Sequence, residues 1–328
     1  MTPARTRVVV FGDLHVDLIA VVDRLPARGE SVIGSSFTVV PGGKAGNQAA
    51  QVARCGVPVA LVGRVGDDAN GDLLLAAYGD MGIDTDGIVV AAGGQTGASS
   101  VLVDATGGYL SAIVPGTSAS WGRPSVPAAL APFADAAVLV VQGELPAAMS
   151  LAAVRWAREK GITVVSNPSP APPAIDASMG QLVETSDIVV INRQELDALA
   201  LAFGVRPSRV ERPDVYANAT ALRARVAATR LIVTLGEDGA VVIDASGVFA
   251  VAPYPATAIV DTVGAGDAFL GAYVAGTVRG LATESALRYA AVAASLSLRG
   301  RGALASQPSH DAITAAIPRA STPWIRYR

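Results

Sequence analysis

The chain has 328 residues, of which 51% are apolar and 16% are charged, and its formal net charge is −3. This length and composition suit one large α/β domain with a sizeable core and exclude disorder over the whole chain. The small negative charge argues against nucleic acid or an anionic membrane as a partner. The single cysteine, Cys55, excludes an internal disulfide.

The apolar run near the N-terminus, Val8–Phe11, is too short for the core of a signal peptide. No later run reaches the length that a membrane-spanning helix requires. We therefore expect a soluble cytoplasmic protein.

Short apolar runs typical of buried strands alternate with helix-like segments along most of the chain. The predicted strands are Arg7–Phe11, Val59–Val65, Ala137–Val141, Thr163–Ser166, Ile188–Ile191, Leu231–Leu235 and Ala240–Ile243. The predicted helices are Asn47–Arg54, Gly71–Met81, Ala147–Glu159, Glu195–Ala202, Ala217–Ala228, Ala265–Val278 and Thr283–Leu298. Continuous Val/Ile/Leu strands between helices predict an α/β fold with a mainly parallel sheet, buried on both faces.

Two segments break this alternation, at about residues 15–40 and 96–115. Both contain strand-like stretches with turn residues and no long helix between them. We interpret them as a small β-sheet beside the α/β core, in the position of a lid. The whole chain, residues 1–328, is expected to form one domain.

The first chemically informative segment is Pro41–Ala50, with the sequence PGGKAGNQAA. Its glycines allow a ligand to approach the backbone closely. Gly43, Lys44 and Asn47 offer hydrogen-bond donors for substrate hydroxyls, and Asn47 offers an acceptor as well. The alternative is a tight turn with Asn47 as a helix N-cap. The spacing of a Walker phosphate loop is absent.

The second segment is Val260–Phe269, with the sequence VDTVGAGDAF. The small residues Gly264, Ala265 and Gly266 let backbone N–H groups converge where a helix begins, which favours anion binding. Phosphoryl transfer requires such donors. Asp267 would lie in the first turn, where a carboxylate can accept a proton from an attacking hydroxyl. The alternative is an ordinary helix start, with Asp267 favourable only to the helix dipole.

Together these two segments resemble the signature motifs of the ribokinase family, the PfkB-type carbohydrate kinases, in order and in separation. The resemblance runs from about Val8 to Ser306. It implies a ribokinase-like three-layer α/β/α sandwich with a small β-sheet lid. It also implies ATP and Mg²⁺, and K⁺ as a further cofactor.

The resemblance places the catalytic base at Asp267 and the anion hole at Gly264, Ala265 and Gly266. It places nucleotide-binding positions at Asn192, Thr234, Gly236 and Gly239, and the Mg²⁺ position, which acts through water, at Glu195. Without the family, Asn192 and Glu195 indicate a helix cap. Residues 234–239 alone indicate a hairpin turn.

The resemblance also implies a monovalent-cation site that steadies the anion-hole loop. Most of its ligands in the family are backbone oxygens, so the side chains constrain it weakly. The matching positions are Asp261, Val263, Ser297, Gly300, Gly302 and Ser306.

The sugar end departs most from the family pattern. Asp17 and Glu144 match family positions that bind sugar hydroxyls. His15 stands where ribokinases usually carry a smaller polar residue, and it could bond a ring substituent or narrow the pocket. The alternative is a histidine at the lid hinge with no ligand contact.

The resulting hypothesis is an ATP-dependent sugar kinase that phosphorylates a hydroxymethyl group, with D-ribose as the first choice. The alternatives are a nucleoside such as pseudouridine or adenosine, or a keto-sugar such as fructose or 2-keto-3-deoxygluconate. A catalytically silent ligand-binding regulator is a further alternative. The resemblance also suggests a homodimer that pairs through the lids.

Overall fold

The computed structural model describes residues 5–106, 108–122, 124–170, 175–205, 215–226, 228–317 and, for the backbone alone, 324–327. The strands in chain order are β1 (Val8–Phe11), β2 (His15–Val22), β3 (Gly34–Gly42), β4 (Val59–Gly66), β5 (Asp84–Ala91), β6 (Thr96–Val103), β7 (Tyr109–Gly116), β8 (Val138–Gln142), β9 (Thr163–Asn167), β10 (Ile188–Asn192), β11 (Arg230–Thr234), β12 (Ala240–Asp244), β13 (Gly247–Val251) and β14 (Trp324–Tyr327). The helices are α1 (Lys44–Arg54), α2 (Ala69–Asp80), α3 (Ser125–Leu130), α4 (Ala147–Glu159), α5 (Ala177–Thr185), α6 (Arg193–Ala202), α7 (Val215–Arg223), α8 (Ala265–Val278), α9 (Thr283–Ser297) and α10 (His310–Ala316).

A ten-stranded sheet forms the centre of the molecule, in the order β14-β13-β12-β11-β10-β9-β8-β1-β4-β5. The strands from β5 to β11 pair in parallel, and the strands from β11 to β14 pair antiparallel. The central strand β1 reads Val-Val-Val-Phe and is fully buried. Helices cover a parallel sheet on both sides, so a central strand is buried on both faces and carries apolar side chains throughout.

Successive side chains of a strand point to opposite faces of the sheet and pack into separate hydrophobic clusters. Val8 and Val10 pack with α1, α2, α8 and α9 on one face, whereas Val9 and Phe11 pack with α3, α4 and α5 on the other. A third cluster joins α6 and α7 to the β10–β12 part of the sheet. The three-layer α/β/α prediction is confirmed.

The lid is a separate four-stranded sheet in the order β3-β2-β6-β7. Strand β2 pairs antiparallel with β3 and parallel with β6, which pairs antiparallel with β7. Asp68, the N-cap of α2, accepts hydrogen bonds from the backbone N–H and the hydroxyl of Thr96, at 2.8 and 2.6 Å. These bonds tie the start of β6 to the core. The predicted smaller sheet is thus confirmed; the assignment of residues 1–328 to one domain stays a prediction.

Several predicted boundaries differ from those observed. Helix α1 begins at Lys44 rather than Asn47, because Gly43 (φ 85°) is the N-cap, so the N-cap alternative for Asn47 is wrong. Strands β5, β13 and β14 and helices α3, α5 and α10 were not predicted. No helix among the described residues is long and apolar enough to cross a membrane.

Candidate active site

Polar residues collect at the carboxyl edge of the large sheet, where open α/β sheets bind ligands. Asp13 follows β1 and Glu144 follows β8, while Asn167, Asn192 and Thr234 end β9, β10 and β11. Helices α1 and α8 reach the same region. The sheet order therefore gathers residues that are far apart in the sequence.

Asp267 lies in the first turn of α8 and is 6% exposed. Its Oδ2 accepts a hydrogen bond from Nδ2 of Asn47 at 3.1 Å, and its Oδ1 accepts one from Nε2 of Gln48 at 2.9 Å. Gly271 permits this approach of α8 to α1, since a Cβ there would lie 2.7 Å from the carbonyl oxygen of Gln48. The carboxylate is thus held by two amide donors.

A chain of amides continues behind Asp267. Nε2 of Gln48 also donates to Oδ1 of Asn167 at 3.2 Å, and Oε1 of Gln48 accepts from Nε2 of Gln142 at 2.8 Å. Nδ2 of Asn167 donates to the carbonyl oxygen of Val190 at 2.8 Å. The orientation of Asp267 is therefore fixed through β8, β9 and β10.

The start of α8 provides backbone N–H groups that are weakly bonded among the described residues. Gly264, the N-cap, has φ 81°, a left-handed conformation that favours glycine, and Gly266 is exposed. The N–H of Ala265 makes only a 3.4 Å contact with the carbonyl oxygen of Thr262. N–H groups in a first helical turn have no intrahelical partner, so this turn offers an anion site beside the Asp267 carboxylate.

At the sugar end, β2, β3 and α1 bring the predicted residues together. The backbone N–H of Lys44 donates to Oε2 of Glu144 at 2.8 Å. The carboxylate of Asp17 lies against Gly42, where an added Cβ would be 2.6 Å from it. Nε2 of His15 lies 3.5 Å from Oδ1 of Asp17.

Burial and opposite charges set the protonation of these groups. Burial raises the pKa of the Glu144 carboxyl to about 7, although the charges of Lys44 and His15 lower it. Burial alone would lower the pKa of Lys44, but Asp267, Glu144 and Glu195 raise it overall. The Lys44 charge, at the positive end of a helix dipole, is therefore balanced by three carboxylates.

His15 also contacts Asp13, with 2.8 Å between Nδ1 and Oδ2. Asp13, His15 and Glu144 offer ligand atoms within 4.8 Å of one another, a spacing that a metal ion could use. The 2.8 Å separation is that of a charge-assisted hydrogen bond, which a proton between the two groups accounts for.

At the nucleotide end, Asn192 and Glu195 form a reciprocal capping box on α6. Oδ1 of Asn192 accepts from the N–H of Glu195 at 2.9 Å, and Oε2 of Glu195 accepts from the N–H of Asn192 at 2.8 Å. The helix-cap interpretation is thus correct. It leaves the other oxygen of the buried Glu195 for a second role.

Thr234 pairs in register with Asn192, so the two lie side by side at the sheet edge. A short turn, Gly236–Asp238, follows β11 and leads through Gly239 into β12, as the hairpin interpretation predicted. Gly236 and Gly239 both have positive φ angles, 62° and 85°. These positions border the same edge as α6.

The loops predicted to hold a monovalent cation are joined. Oδ1 of Asp261 accepts from the N–H of Val263 at 3.0 Å, and its Oδ2 accepts from the N–H of Gly302 at 2.9 Å. The Oγ of Ser306 is buried without a hydrogen-bond partner among the described residues, so it is free to contact an ion. The N–H of Gly300 contacts the carbonyl oxygen of Ser297 at 3.3 Å, and Ser297 is buried.

Sequence reasoning missed Asp13, Gln48, Gln142 and Asn167. A usable signal existed, because Asp13, Gln142 and Asn167 each lie at or just beyond the end of a buried apolar strand. Polar residues at that edge of a parallel sheet point to a ligand site. Gln48 had no such signal, since its side chain could be placed only once α1 was packed against α8.

Comparison with known proteins identifies the family. Residues 5–310 match the model of the pfkB family carbohydrate kinases. The chain is 30% identical to the Mus musculus ribokinase over 304 residues, covering 92% of this chain and 91% of that protein. It is 28% identical to the Salmonella typhimurium deoxyribokinase over 302 residues, covering 92% and 95% of the two chains.

Among solved structures, Arabidopsis thaliana ribokinase complexed with ribose and ATP superimposes with a TM-score of 0.84. The two proteins are 26% identical, and the match covers 95% of this chain and 99% of the other.

Proposed function

The chain belongs to the pfkB family of carbohydrate kinases, and from this premise we propose that it transfers the γ-phosphoryl group of ATP to the hydroxymethyl oxygen of D-ribose. The observation that carries the proposal is the position of Asp267. Its carboxylate is oriented by Asn47 and Gln48 and stands in the same helical turn as the open N–H groups of residues 264–266. An acceptor alcohol and a phosphoryl group can therefore meet there.

In the proposed reaction, Asp267 takes the proton of the hydroxymethyl group as its oxygen bonds to the γ-phosphorus. The bond from that phosphorus to the bridging oxygen breaks, and ADP leaves with the electron pair. Backbone N–H groups of Gly264, Ala265 and Gly266 stabilise the charge on the transferred oxygens. The amide groups that donate to both oxygens of Asp267 would hold its carboxylate in a fixed orientation toward the hydroxymethyl group.

The nucleotide would lie along Asn192, Thr234, Gly236 and Gly239. Glu195 would hold Mg²⁺ through water, since Mg²⁺ keeps several waters and uses few protein ligands. Bound there, the ion would neutralise charge on the ATP phosphates. Its fit is supported by the buried Glu195 carboxylate, which has one oxygen outside the capping box.

A monovalent cation, K⁺ in the proposal, would be held near Asp261, Val263, Ser297, Gly300, Gly302 and Ser306. The unpartnered Oγ of Ser306 supports this. The ion would steady the loop that carries Gly264, which Asp261 already ties to Gly302.

The sugar would be held by Asp17, Gly43, Lys44, Asn47 and Glu144. The Oδ1 of Asn47 is buried and has no hydrogen-bond partner in the part of the chain that the structure describes, so it is available to a substrate hydroxyl. Among the described residues, five carboxylates, those of Asp13, Asp17, Glu144, Glu195 and Asp267, surround two cations, His15 and Lys44. This balance favours a neutral sugar over the acidic 2-keto-3-deoxygluconate.

The test is ATP consumption with a panel of ribose, deoxyribose, fructose, 2-keto-3-deoxygluconate, adenosine and pseudouridine. We expect the highest kcat/KM with ribose and the phosphate on its C5 oxygen by NMR. A higher kcat/KM with any other compound would overturn the ribose assignment. No stimulation by any of them would favour the regulator alternative.

Glu144 should make sugar binding depend on pH near neutrality. Its pKa of about 7 means that the carboxylate, the form that accepts sugar hydroxyls, is lost as the pH falls through 7. We expect the KM for sugar to rise roughly tenfold between pH 8 and pH 6, as for one protonation that prevents binding. KM measured at saturating MgATP checks this. Glu144→Gln should give a high KM that does not change with pH; an unchanged pH dependence in that variant would contradict the assignment.

The proposal includes a homodimer formed through the lids. Phe37, Ala20, Leu102 and Leu110 are cross-strand neighbours in one row over the lid, and Phe37 and Leu110 are 64% and 51% exposed. Such an exposed apolar row is typical of an interaction surface. Leu110→Glu should yield monomers by analytical ultracentrifugation, whereas Ser36→Glu, an exposed lid position on the opposite face, should not. A dimer that persists in Leu110→Glu would exclude this row as the dimer interface.

A cytoplasmic location is also proposed, consistent with the free thiol of Cys55.

A further inference from the structure

The side chain of His15 is surrounded by glycine residues of the neighbouring strands and of the turn before α1. His15 pairs in register with Gly42 of β3 and Gly97 of β6. A Cβ on Gly97 would lie 3.0 Å from the His15 Cβ, and one on Gly43 would lie 3.4 Å from Nδ1. His15 is 2% exposed, so the ring is enclosed by backbone on several sides and cannot reach solvent for a hydrogen bond.

Carboxylates meet both nitrogens of this ring. Asp13, which is fully buried, contacts Nδ1 at 2.8 Å, and Asp17 lies 3.5 Å from Nε2. A neutral imidazole has one N–H donor, whereas an imidazolium has two, so two acidic partners favour the charged form. Burial alone would lower the pKa of His15, but Asp13, Asp17 and Glu144 raise it to about 10.

The titratable and charged groups around His15 come from five elements, whereas the paired strands β3 and β6 present Gly42 and Gly97 to it. Asp13 follows β1, Asp17 lies on β2 itself, and Glu144 follows β8. Lys44 of α1 is bonded to Glu144 through its N–H. From α2, the buried hydroxyl of Tyr78 lies near the acids, and burial with the charges of Asp13, Glu144 and Asp17 raises its pKa, so it is neutral.

We propose that Asp13 and His15 form a buried ion pair that acts as a positioning element of the sugar site. The imidazolium is the counter-ion that lets Asp17 and Glu144 be ionised together, and it holds the Asp17 carboxylate in place. The inference rests on the proposed sugar kinase function. Without a cation between them, buried carboxylates repel one another and one of them becomes protonated.

The ion pair itself can be tested without any activity measurement. The chain contains only two histidines, so His310→Gln leaves the His15 ring as the only imidazole signal in a histidine-labelled sample. We expect that signal to show the imidazolium shift at pH 8. In Asp13→Asn the pKa of His15 should fall by about 2 units, because the nearest anion is lost.

A His15 signal that titrates near its ordinary pKa in the otherwise unchanged protein would overturn the inference. Stoichiometric transition metal in the purified protein would also overturn it, because the ion would take the place of the proton. Both results can be read even if Asp13→Asn does not fold.

The consequence for sugar binding is tested with His15→Gln. Loss of the cation should move the pH dependence of the sugar KM, set by Glu144, upward by about 1 unit. KM should therefore be roughly fivefold higher at pH 7 and close to the unsubstituted value at pH 9, with kcat little changed. An equal increase in KM at all pH values would indicate a merely structural role and contradict the proposal.

A double variant separates the pair from two independent effects. Asp13→Asn combined with His15→Gln should raise KM no more than His15→Gln alone, since residues that act as a unit are not additive. Additive effects would contradict the pair. If the unsubstituted enzyme phosphorylates no sugar, the proposed function fails, whereas the His15 titration still decides the ion pair.

Discussion

Replacing Asp267 by Asn is expected to lower kcat by a factor on the order of 10²–10⁴, with little change in the KM for sugar. The substitution keeps the shape of the side chain but removes its ability to take a proton. It also replaces one acceptor oxygen with an NH₂ donor. That donor would face one of the two amide groups, of Asn47 or Gln48, that donate to the carboxylate. Steady-state kinetics with the best sugar of the panel would measure the effect.

The matched control is Asp72→Asn. Asp72 lies in the first turn of α2, as Asp267 lies in the first turn of α8, but the Asp72 side chain is exposed whereas that of Asp267 is buried. Both carboxylates favour a helix dipole by about 0.3–1 kcal/mol, so Asp72→Asn should lower the Tm slightly and leave kcat unchanged. Near-normal turnover in Asp267→Asn would remove Asp267 from the role of base.

Replacing Gly264 by Ala should lower kcat by about 10²–10³, the usual cost of losing one anion-hole donor. Gly264 has φ 81°, and a Cβ there would lie 2.6 Å from the Cβ and 2.7 Å from the Cα of Ala303. The turn at the start of α8 must therefore move away from the loop that includes Gly302. The N–H groups of residues 264–266 would then no longer face the phosphoryl group.

Gly280→Ala separates this displacement from backbone strain. Gly280 also has φ 81°, but a Cβ there would meet nothing within 4 Å. Both variants should lose stability from the left-handed conformation, by about 1–2 kcal/mol. Only Gly264→Ala should lose turnover and bind nucleotide more weakly, while sugar binding by calorimetry stays normal. An equal loss of turnover in Gly280→Ala would show that strain alone is responsible.

Family membership and kinase class were predicted from two short segments, and the comparisons confirm both. Each segment alone is also compatible with an ordinary turn or helix start, so the segments were informative because they occur together, in the order and separation of the signature motifs of the family. The strands were equally readable, since fully buried parallel strands require continuous apolar runs.

Two of the elements that were missed, β5 and α5, lacked such signals. Strand β5 ends the sheet on one side, and Val89 and Val90 are 41% and 48% exposed, so its pattern is that of neither a buried nor an alternating strand. Helix α5 contains Gly180, which weakens helix propensity, and its cap is Asp176, whose carboxylate accepts from the N–H of Met179. Packing against α4 stabilises the helical conformation of this segment, which helix propensity alone does not predict.

Local periodicity and short motifs were enough to predict the layered α/β architecture, the lid segments and the candidate residues for phosphoryl transfer. Which of these residues come into contact depends on the tertiary structure. Asn47 and Asp267 are separated by 220 positions, and their contact depends on how α1 and α8 pack over the sheet. Asp13 and His15 are only two positions apart, but their contact depends on the turn from β1 into the lid, and the burial of the His15 side chain depends on the strands and helices packed around it.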